Sequence, residues 1–476
     1  MKKVAIIGGG ITGLAAAYTL QRHGRGSVQV TLIESGSRLG GKIASDAEAG
    51  FLVEGGPDSF ISQKPAGLAL CRELNLADQL IGSNPEPELK TTYVASGGRL
   101  HPMPEGMMLM APTMMLPFLR SRLFSWRGKL RMGLELFIPR RTDTSADESL
   151  ASFVSRRLGN EALEKIAAPL MAGIYAADPA HLSLQSTFPT FLEMERTHGS
   201  LLRAMLKRKK APRPTSTPGT KPPSMFMTLQ GGLQQLVDAL IAQLDPASIQ
   251  LNRQILSITR QQGQYHLTFS GGEHIVADEI ICCTPAYVTA DLLHGIAPKL
   301  AHLLKDIRYV STATVSLGYK RSEIKHALKG FGFVVPHSEG RRITACSWSS
   351  TKFSHRSTPD TVLLRAFVGG ARNEQLAEQT EHDLVQMVRD ELASLMGITA
   401  TPILTRVYRW RKANPQYDVG HLDRVAQMEA LAADIPGLHL AGAAFRGPGI
   451  PDCIQSAQLA AQSILDQINV ARKEAV

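Results

Sequence analysis

Three glycines near the beginning of the sequence, Gly8, Gly10 and Gly13, have the spacing G-x-G-x-x-G. They follow a short apolar run, residues 4–7, and precede a segment rich in alanine and leucine, so they connect a predicted strand to a predicted helix. The backbone N–H groups at the beginning of such a helix can bind a diphosphate. Glu34 ends the next apolar run, where a carboxylate accepts hydrogen bonds from ribose hydroxyls and disfavours a 2′-phosphate. The pattern therefore predicts a dinucleotide site that disfavours NADP.

Each glycine of this motif meets a different steric requirement. Gly8 permits the tight turn, Gly10 lets the pyrophosphate approach the backbone, and Gly13 lets the helix pack against the strand. A side chain at any of the three positions is therefore expected to obstruct the turn, the ligand or the helix.

Two further glycine-rich segments lie far apart in the chain. Gly40 and Gly41, with Arg38 and Lys42 beside them, follow the second apolar run and suit additional contacts to a diphosphate. Near the C-terminus, residues 442–452 read GAAFRGPGIPD and join a predicted strand to a long predicted helix. This second strand–turn–helix unit is expected to present another helix N-terminus to the same ligand.

The secondary structure that must position these turns is predicted to differ from one region of the chain to the next. Both ends are of α/β type, and strands are predicted at 249–259, with Ile255 in mid-strand, and at 265–269 and 279–283. Residues 90–139 are rich in methionine and proline, and 150–174 has a helical pattern, so this portion is expected to be a mostly helical insertion. Residues 305–410 mix strand patterns with a helix near 381–396. Residues 211–223 contain five prolines and predict a mobile loop.

Composition limits the classes of function. The 476 residues carry a net charge of +10, which favours an acidic ligand or partner, or is simply a solvated basic surface. The basic run 207–210 lacks interleaved aromatic residues, which argues against nucleic acid. The five cysteines form no C-x-x-C pair, so neither a disulfide framework nor a metal site is expected. With no secretory signal pattern and no apolar run long enough to span a bilayer, we expect a cytoplasmic protein with at most peripheral membrane contact.

The glycine-rich segments belong to a larger set of motifs that resembles a known family. The R-x-G-G extension at 38–41 is similar to that of the flavin amine oxidase superfamily. Within it, the chain resembles the protoporphyrinogen/coproporphyrinogen oxidase family nearly from end to end, with its closest resemblance to the soluble coproporphyrinogen III oxidases of Gram-positive bacteria. The motifs are GGPDSF at 55–60, HPMP at 101–104, PLMAGIYA at 169–176, STFP at 186–189 and GIPDCI at 449–454.

The resemblance implies a fold that combines α/β and α+β architecture. A Rossmann-like FAD-binding domain would be interrupted by a mixed-β substrate domain and by a mostly helical domain. The corresponding boundaries are 1–64, 223–291 and 434–476 for the FAD-binding domain, 65–92, 186–222 and 292–433 for the substrate domain, and 93–185 for the helical domain.

The resemblance also implies a set of ligand contacts. Lys64 would pair with a propionate of the substrate, while Gly173, Ile174 and Tyr175 would line the tetrapyrrole cavity. No catalytic acid or base is identified. The residues implied to contact FAD are Gly8, Gly9, Gly10, Ile11, Thr12, Gly13, Glu34, Ser35, Lys42, Gly56, Pro57, Asp58, Ser59, Ile255, Trp410, Ile450, Pro451 and Asp452.

The implied reaction is the six-electron oxidation of coproporphyrinogen III to coproporphyrin III in haem biosynthesis, with molecular oxygen as acceptor and hydrogen peroxide as product. A transient hand-over of the porphyrin to ferrochelatase is the expected partner interaction. Three alternatives stay open at this point: a protoporphyrinogen IX oxidase, a flavin amine oxidase or desaturase, and a non-enzymatic carrier of the same fold. The intact glycine turns and Glu34 argue against the carrier, which would be expected to have a degraded cofactor site.

Overall fold

The computed structural model describes residues 1–24, 26–108, 111–112, 114–143, 146–210 and 223–474. Nearly all of the proline-rich segment predicted to be a mobile loop, 211–223, lies outside these residues. Within them, no helix is long and apolar enough to cross a membrane.

Runs of strands and runs of helices follow one another along the chain. The strands are β1 (Lys2–Ile7), β2 (Val28–Ile33), β3 (Ser45–Glu48), β4 (Phe51–Glu54), β5 (Phe60–Ile61), β6 (Leu80–Gly82), β7 (Thr92–Ser96), β8 (Arg99–Pro102), β9 (Met107–Met108), β10 (Ala111–Pro112), β11 (Phe226–Leu229), β12 (Ile249–Gln250), β13 (Ile255–Gln261), β14 (Gln264–Phe269), β15 (His274–Ala277), β16 (Glu279–Cys282), β17 (Tyr309–Lys320), β18 (Gly332–Val334), β19 (Ala345–Trp348), β20 (Thr361–Gly369), β21 (Leu404–Pro415) and β22 (Leu438–Leu440).

The α-helices are α1 (Ile11–His23), α2 (Pro65–Glu73), α3 (Met115–Arg120), α4 (Trp126–Gly133), α5 (Leu150–Arg157), α6 (Asn160–Ala162), α7 (Ala168–Tyr175), α8 (Leu184–Thr187), α9 (Pro189–His198), α10 (Leu201–Lys210), α11 (Gln234–Gln243), α12 (Ala286–Leu293), α13 (Pro298–Lys305), α14 (Ser349–Lys352), α15 (Glu381–Met396), α16 (His421–Ala433) and α17 (Ile450–Glu474). A π-helical segment, Leu163–Ala167, joins α6 to α7, and the 3-10 helices are Ala77–Gln79, Pro87–Leu89, Leu134–Phe137, Pro246–Ser248, Arg321–Glu323, His337–Glu339 and Glu374–Glu378.

A parallel sheet with the order β12-β2-β1-β16-β22 organises the two ends of the chain. Alternate residues of β1 face opposite sides, as the strand geometry requires. Val4 and Ile6 pack in a core with α1, α11 and α17, whereas Ala5 and Ile7 pack in a second core with β13–β15, α12 and α13. Because both faces are covered, β1 and β16 contain consecutive apolar residues at 4–7 and 280–282, which is the pattern expected of a parallel sheet.

A second, mixed sheet has the order β21-β17-β20-β19-β18-β7-β8. Its strands pair antiparallel except β18 and β7, which run parallel. The helix α15 covers one face through a core that includes Leu384, Val388 and Leu392. The sheet spans most of the region predicted to be β-rich, 305–410, which agrees with the expected fold class.

The helical part of the chain is organised around a buried carboxylate. Glu135 is fully buried, forms an ion pair with the equally buried Arg157, and accepts hydrogen bonds from the N–H groups of Leu201 (2.9 Å) and Leu202 (3.2 Å). It therefore neutralises a buried cation and binds free N–H groups at the beginning of α10. Burial of a charged pair is tolerated here because further hydrogen bonds, including one from Ser200 Oγ at 2.6 Å, satisfy the carboxylate.

Several predicted elements differ from the structure. Residues 93–102, assigned to the mostly helical domain, form β7 and β8 of the mixed sheet, because β7 pairs with the distant β18. The single strand predicted at 249–259 is two strands in different sheets, β12 and β13, so Ile255 begins a strand and is not in mid-strand. The helical pattern at 150–174 is divided among α5, α6, the π-helical segment and α7. The remaining domain boundaries stay a prediction.

Candidate functional site

The glycines of the first turn have distinct surroundings. Gly8 has a φ of +105°, and a Cβ there would lie 3.2 Å from the backbone carbon of Cys283. A Cβ on Gly13 would lie 1.9 Å from the carbonyl oxygen of Gly8, so only glycine lets α1 begin this close to β1. A Cβ on Gly10, by contrast, would have no described atom within 4 Å. The turn thus needs Gly8 and Gly13 for its own packing, while Gly10 faces open space.

The carboxylate of Glu34 lies beside this turn. It accepts a hydrogen bond from the N–H of Gly9 (2.7 Å) and another from the N–H of Gly36 (2.7 Å). The hydroxyl of Ser35 donates to the same carboxylate at 3.3 Å. No described side chain caps the N-terminus of α1, whose first turn also contains no acidic residue. The N-terminus of α1 therefore keeps its positive end available to an anion, with an oriented carboxylate at its side.

The second glycine pair, Gly40 and Gly41, packs against the first turn. The N–H of Gly40 donates to the carbonyl of Gly9 at 2.8 Å, and a Cβ on Gly41 would lie 3.1 Å from the Cα of Gly10. Both have positive φ, +101° and +57°, which favours glycine. The two glycine-rich segments near the N-terminus therefore pack directly against each other, while a diphosphate contact of Gly40 and Gly41 stays a prediction.

The C-terminal glycine turn reaches the same place from the other end of the chain. Gly442 has a φ of +121°, and a Cβ there would lie 3.4 Å from Oγ1 of Thr12 on α1. The N–H of Gly442 donates to Ser456 Oγ (3.0 Å), which ties the turn to α17. Ile450 and Pro451, the first two residues of α17, are buried. Two helix N-termini separated by more than four hundred residues therefore meet at one edge of the parallel sheet.

Residues 55–59 lie next to the glycine turns and contact the segment that contains Lys42. A Cβ on Gly56 would lie 1.8 Å from the carbonyl oxygen of Lys42, so the two segments touch backbone to backbone. The ammonium of Lys42 donates to the carbonyl of Ala413, and burial by the surrounding protein lowers the pKa of Lys42, although solvent still reaches its side chain. Trp410 Nε1 donates to the carbonyl of Gly55 at 2.9 Å. The structure thus brings Lys42, Gly56 and Trp410 together, and their contact with FAD stays a prediction.

Asp58 is held as an anion near the end of this segment, residues 55–59. Lys352 Nζ lies 2.9 Å and 3.1 Å from its two carboxylate oxygens, and Ser59 Oγ donates to it at 2.6 Å. Burial tends to raise the pKa of Asp58, but the charges of Lys352 and Arg365 outweigh that effect and hold the pKa well below its usual range. Arg365 also donates to the carbonyl groups of Gly55 and Gly56. Two cations from the mixed sheet and its neighbouring helix therefore clamp the turn that contains Pro57.

Two of the predicted substrate residues, Lys64 and Tyr175, lie near Asp452 at the beginning of α17. Lys64 Nζ forms an ion pair with Asp452 Oδ1 at 2.5 Å, with exposed side-chain fractions of 45% and 13%. Burial, together with the negative charge of Asp452, raises the pKa of Tyr175 to about 12, which keeps this phenol neutral. Gly173 and Ile174 of α7 are exposed, the latter by 55%. Lys64 therefore already has a partner within the protein, the predicted cofactor residue Asp452, and its contact with a substrate propionate stays a prediction.

Ile255 occupies a different environment from the other predicted contacts. Its side chain is buried in the core that contains Ile33, on one side of the parallel sheet. The adjoining chain nevertheless runs past the predicted ribose position, since the N–H of Arg253 donates to the carbonyl of Glu34 at 2.9 Å. Ile255 is thus a packing residue in the structure, and a contact with adenine stays a prediction.

Sequence reasoning missed two aromatic residues that hold the C-terminal glycine turn. Tyr417 Oη donates to the carbonyl of Ala443 (2.8 Å), and His421 Nε2 lies 2.8 Å from the carbonyl of Phe445. The two rings stack with centroids 4.1 Å apart. Burial lowers the pKa of His421 to about 4, so the neutral ring donates from Nε2 at physiological pH. No motif indicated either residue, because their role depends on a carbonyl far along the chain.

We expect Glu34→Ala to weaken FAD binding by at most about 3 kcal/mol, the range of hydrogen bonds to charged groups. The carboxylate also orients Gly9 and Gly36, so Glu34→Gln, which keeps one acceptor, should lose less. Titration of apoprotein with FAD, followed by flavin fluorescence, measures the difference. Equal affinity of wild type and Glu34→Ala would contradict a ribose contact at this position.

Comparisons with known proteins agree with this arrangement. The family model described as flavin-containing amine oxidoreductase matches residues 11–465. The chain is 36% identical to coproporphyrinogen III oxidase of Bacillus subtilis over 469 residues, 98% of each protein, and 28% identical to protoporphyrinogen oxidase 2 of Arabidopsis thaliana, covering 98% of this chain and 94% of that one. A crystal structure from Exiguobacterium sp. 255-15, named for protoporphyrinogen oxidase, has a TM-score of 0.85 at 33% identity and covers 97% of this chain and 98% of that chain.

Proposed function

This chain belongs to the flavin-containing amine oxidoreductase family, and from that membership we propose that it oxidises coproporphyrinogen III to coproporphyrin III with bound FAD. The observation that carries the proposal is the meeting of both glycine turns beside the Lys64–Asp452 pair. Cofactor and substrate residues from distant parts of the chain would thus serve one site. The identity of the substrate rests on relatives that match the chain over nearly its full length.

The residues present fit FAD. Gly10 leaves free space in front of the first turn of α1, where the pyrophosphate would bind the helix N-terminus. Glu34 would accept the ribose hydroxyls, and Lys42 with Asp58 would lie along the cofactor. The beginning of α17 would present backbone N–H groups to the flavin end. Bound FAD supplies the hydride-accepting chemistry that no amino-acid side chain provides.

The cluster formed by Lys64, Asp452 and Tyr175 suits an acidic macrocycle. Lys64 keeps nearly half of its side chain exposed although it is paired with Asp452, so it can still donate to a propionate. Gly173 and Ile174 would offer a flat apolar wall on the other side. Coproporphyrinogen carries four carboxylates and protoporphyrinogen two, so a chain with a net charge of +10 would attract the former more strongly.

The proposed oxidation of the macrocycle also requires an electron acceptor. Three successive two-electron steps would remove six hydrogens from the macrocycle, and molecular oxygen would take up the electrons as hydrogen peroxide. We assign no general base, since pyrrole protons can leave to water. The product would then pass to ferrochelatase by transient contact in the cytoplasm.

A parallel assay of two substrates tests the proposal. Fluorescence of the porphyrin product is recorded with coproporphyrinogen III and with protoporphyrinogen IX at equal enzyme concentration, with oxygen uptake and peroxide measured in the same reactions. We expect the higher kcat/KM for coproporphyrinogen III. A higher kcat/KM for protoporphyrinogen IX would contradict the proposed substrate. It would instead match the names of the plant relatives, which are protoporphyrinogen oxidases.

We expect Lys64→Ala to raise KM for coproporphyrinogen about tenfold or more, because a charge-assisted hydrogen bond to a propionate contributes roughly 1–3 kcal/mol. Flavin content is measured in the same samples, because Lys64 also pairs with the predicted cofactor residue Asp452. Added salt should weaken the wild type more than the variant, which has already lost one attraction. Lys299→Ala, on an exposed part of α13, is the matched control. Unchanged KM and unchanged salt dependence would show that Lys64 does not bind the substrate and only forms its ion pair with Asp452.

A further inference from the structure

A small cavity is lined both by residues of the segment 52–58 and by residues of the mixed sheet. Its polar lining consists of two carboxylates, two guanidinium groups and two hydroxyl groups, with leucine and phenylalanine side chains around them. Its volume of about 10 Å³ is room for one small molecule or ion. We name it the charged cavity, and the lining residues that matter here are Glu54, Asp58, Ser316, Arg356 and Arg365.

Ser316 and Arg365 line the charged cavity from the middle of the mixed sheet. They are direct partners in the antiparallel register of β17 with β20, so both side chains leave the same face of the sheet. Ser316 is fully buried and Arg365 is 3% exposed. The sheet therefore presents a hydroxyl group and a guanidinium group side by side in the interior of the protein.

Two polar atoms of this pair have no hydrogen-bond partner among the described residues. They are Oγ of Ser316 and Nε of Arg365. Another part of the guanidinium is already used, because its Nη2 donates to the carbonyl groups of Gly55 (3.1 Å) and Gly56. Buried polar groups in folded proteins are almost always hydrogen-bonded, since an unsatisfied one loses its hydration without compensation. Both atoms carry a hydrogen that they can donate, so the group that would satisfy them is an acceptor.

The charges around the cavity do not balance. Asp58 pairs with Lys352 at 2.9 Å. Glu54 lies 3.5 Å from Arg356. Arg365 forms no ion pair of its own within the part of the chain that the structure describes. Three cations thus surround two carboxylates, and a guanidinium stays charged even when it is buried. The cluster therefore carries one positive charge in excess.

The pKa values of the buried groups agree with this excess. Burial lowers the pKa of Arg365, and the opposing charges of Asp58 and Glu54 do not restore it. Burial also raises the pKa of Glu54, so this carboxylate supplies at most one negative charge. A buried charge without a counter-charge is strongly unfavourable. The cluster is therefore expected to hold an anion that the polypeptide itself does not provide.

We propose that the charged cavity binds a chloride ion, which accepts hydrogen bonds from Ser316 Oγ and Arg365 Nε. A monatomic anion suits the small volume, whereas phosphate, sulfate or an organic acid would be too large. A water molecule can also accept both hydrogen bonds, but it would leave the excess positive charge uncompensated. The ion would also hold Arg365 in the position from which it donates to Gly55 and Gly56, and would thereby stabilise residues 55–59.

Thermal unfolding of the FAD-loaded protein tests this proposal. Tm is measured while sodium chloride or sodium bromide replaces sodium gluconate at constant ionic strength. We expect Tm to increase with either halide and to reach a plateau, because a ligand that binds only the native state stabilises it in proportion to the occupancy of its site. The dependence of Tm on chloride concentration gives an apparent Kd.

Ser316→Ala should raise this apparent Kd about tenfold or more, because it removes a hydrogen bond to a charged group. Ser186→Ala is the matched control, since Ser186 Oγ is also buried without a partner among the described residues but does not line the charged cavity. Arg365→Met should abolish the effect of chloride by removing the excess charge. If that variant does not fold, Ser316→Ala still decides the question.

Hydrogen–deuterium exchange locates the effect of chloride in the chain. Exchange of the amide groups of residues 51–60 should become slower in chloride, while β14 and β15, which belong to a separate sheet, should not change. An identical chloride dependence of Tm in the wild type and in Ser316→Ala, or no dependence in either, would overturn the proposal and indicate a water molecule in the cavity. Exchange that slows equally along the whole chain would indicate a general salt effect and would contradict it as well.

Discussion

Gly10→Val should yield a folded protein that contains no FAD. A Cβ at this position would have no described atom within 4 Å, so the protein itself has room for the side chain. Gly10 also has extended backbone angles, φ −71° and ψ −179°, which valine readily adopts. The added isopropyl group would instead fill the space in front of α1, where the pyrophosphate is proposed to bind. We expect the affinity for FAD to fall about a hundredfold or more, which corresponds to about 3 kcal/mol.

Absorbance of the purified protein near 450 nm and titration of the apoprotein with FAD measure this effect. Gly295→Val is the matched control, because a Cβ there also meets no described atom and the exposed Gly295 lies in the turn between α12 and α13. Gly13→Ala provides the contrast, since its Cβ would clash with the carbonyl of Gly8 and should reduce the yield of folded protein. A Gly10→Val protein with full flavin content would refute the assigned pyrophosphate position.

Asp58→Ala should destabilise the protein by about 3–5 kcal/mol, the cost of leaving buried cations without their partner. The Lys352 side chain is only 14% exposed and Arg365 only 3%, so solvent would replace this carboxylate only in part. Arg365 also donates hydrogen bonds to the carbonyl groups of Gly55 and Gly56. The loss of stability should therefore extend to residues 55–59, which are predicted to lie along the cofactor. The midpoint of urea denaturation and the flavin content report the two consequences separately.

Asp291→Ala is the control, because Asp291 also pairs with a lysine but at the surface, where an ion pair contributes roughly 0–1 kcal/mol. Adding Lys352→Met to Asp58→Ala should recover part of the lost stability by removing one unpaired cation. An unchanged denaturation midpoint in Asp58→Ala would show that the cluster is already hydrated and that the argument from burial is wrong.

The same cluster predicts a pH dependence with a definite sign. The pKa of Asp58 is depressed in the folded protein, so its contribution to stability is present above the unfolded-state pKa of about 4 and is lost as the pH falls towards the lower folded-state pKa. The stability difference between wild type and Asp58→Ala should therefore be constant near neutral pH and decrease below about pH 4. A difference that grows on acidification would have the opposite sign and contradict the ionised state of Asp58.

The sequence alone determined the cofactor class and the location of its first turn. A strand, a glycine turn and a helix are adjacent in the chain, and the requirements on Gly8, Gly10 and Gly13 arise from backbone geometry within a few residues. The family motifs extended this reasoning to the C-terminal turn and to the substrate. The role of Glu34 could also be predicted from the sequence, because its separation from the turn along the chain follows from the length of one βαβ unit.

The tertiary structure alone decided which side chains neutralise and position the predicted site. Lys64 and Asp452 are separated by 388 residues and Asp58 and Lys352 by 294, so no local period relates them. Residues 92–96 likewise form a strand because β7 pairs with β18, although the surrounding sequence predicted a mostly helical domain. Periodicity reports which face of an element is buried, whereas the partner on that face depends on how distant elements pack. The sequence therefore determined the turns that are proposed to bind the cofactor, and long-range packing decided the charges around them.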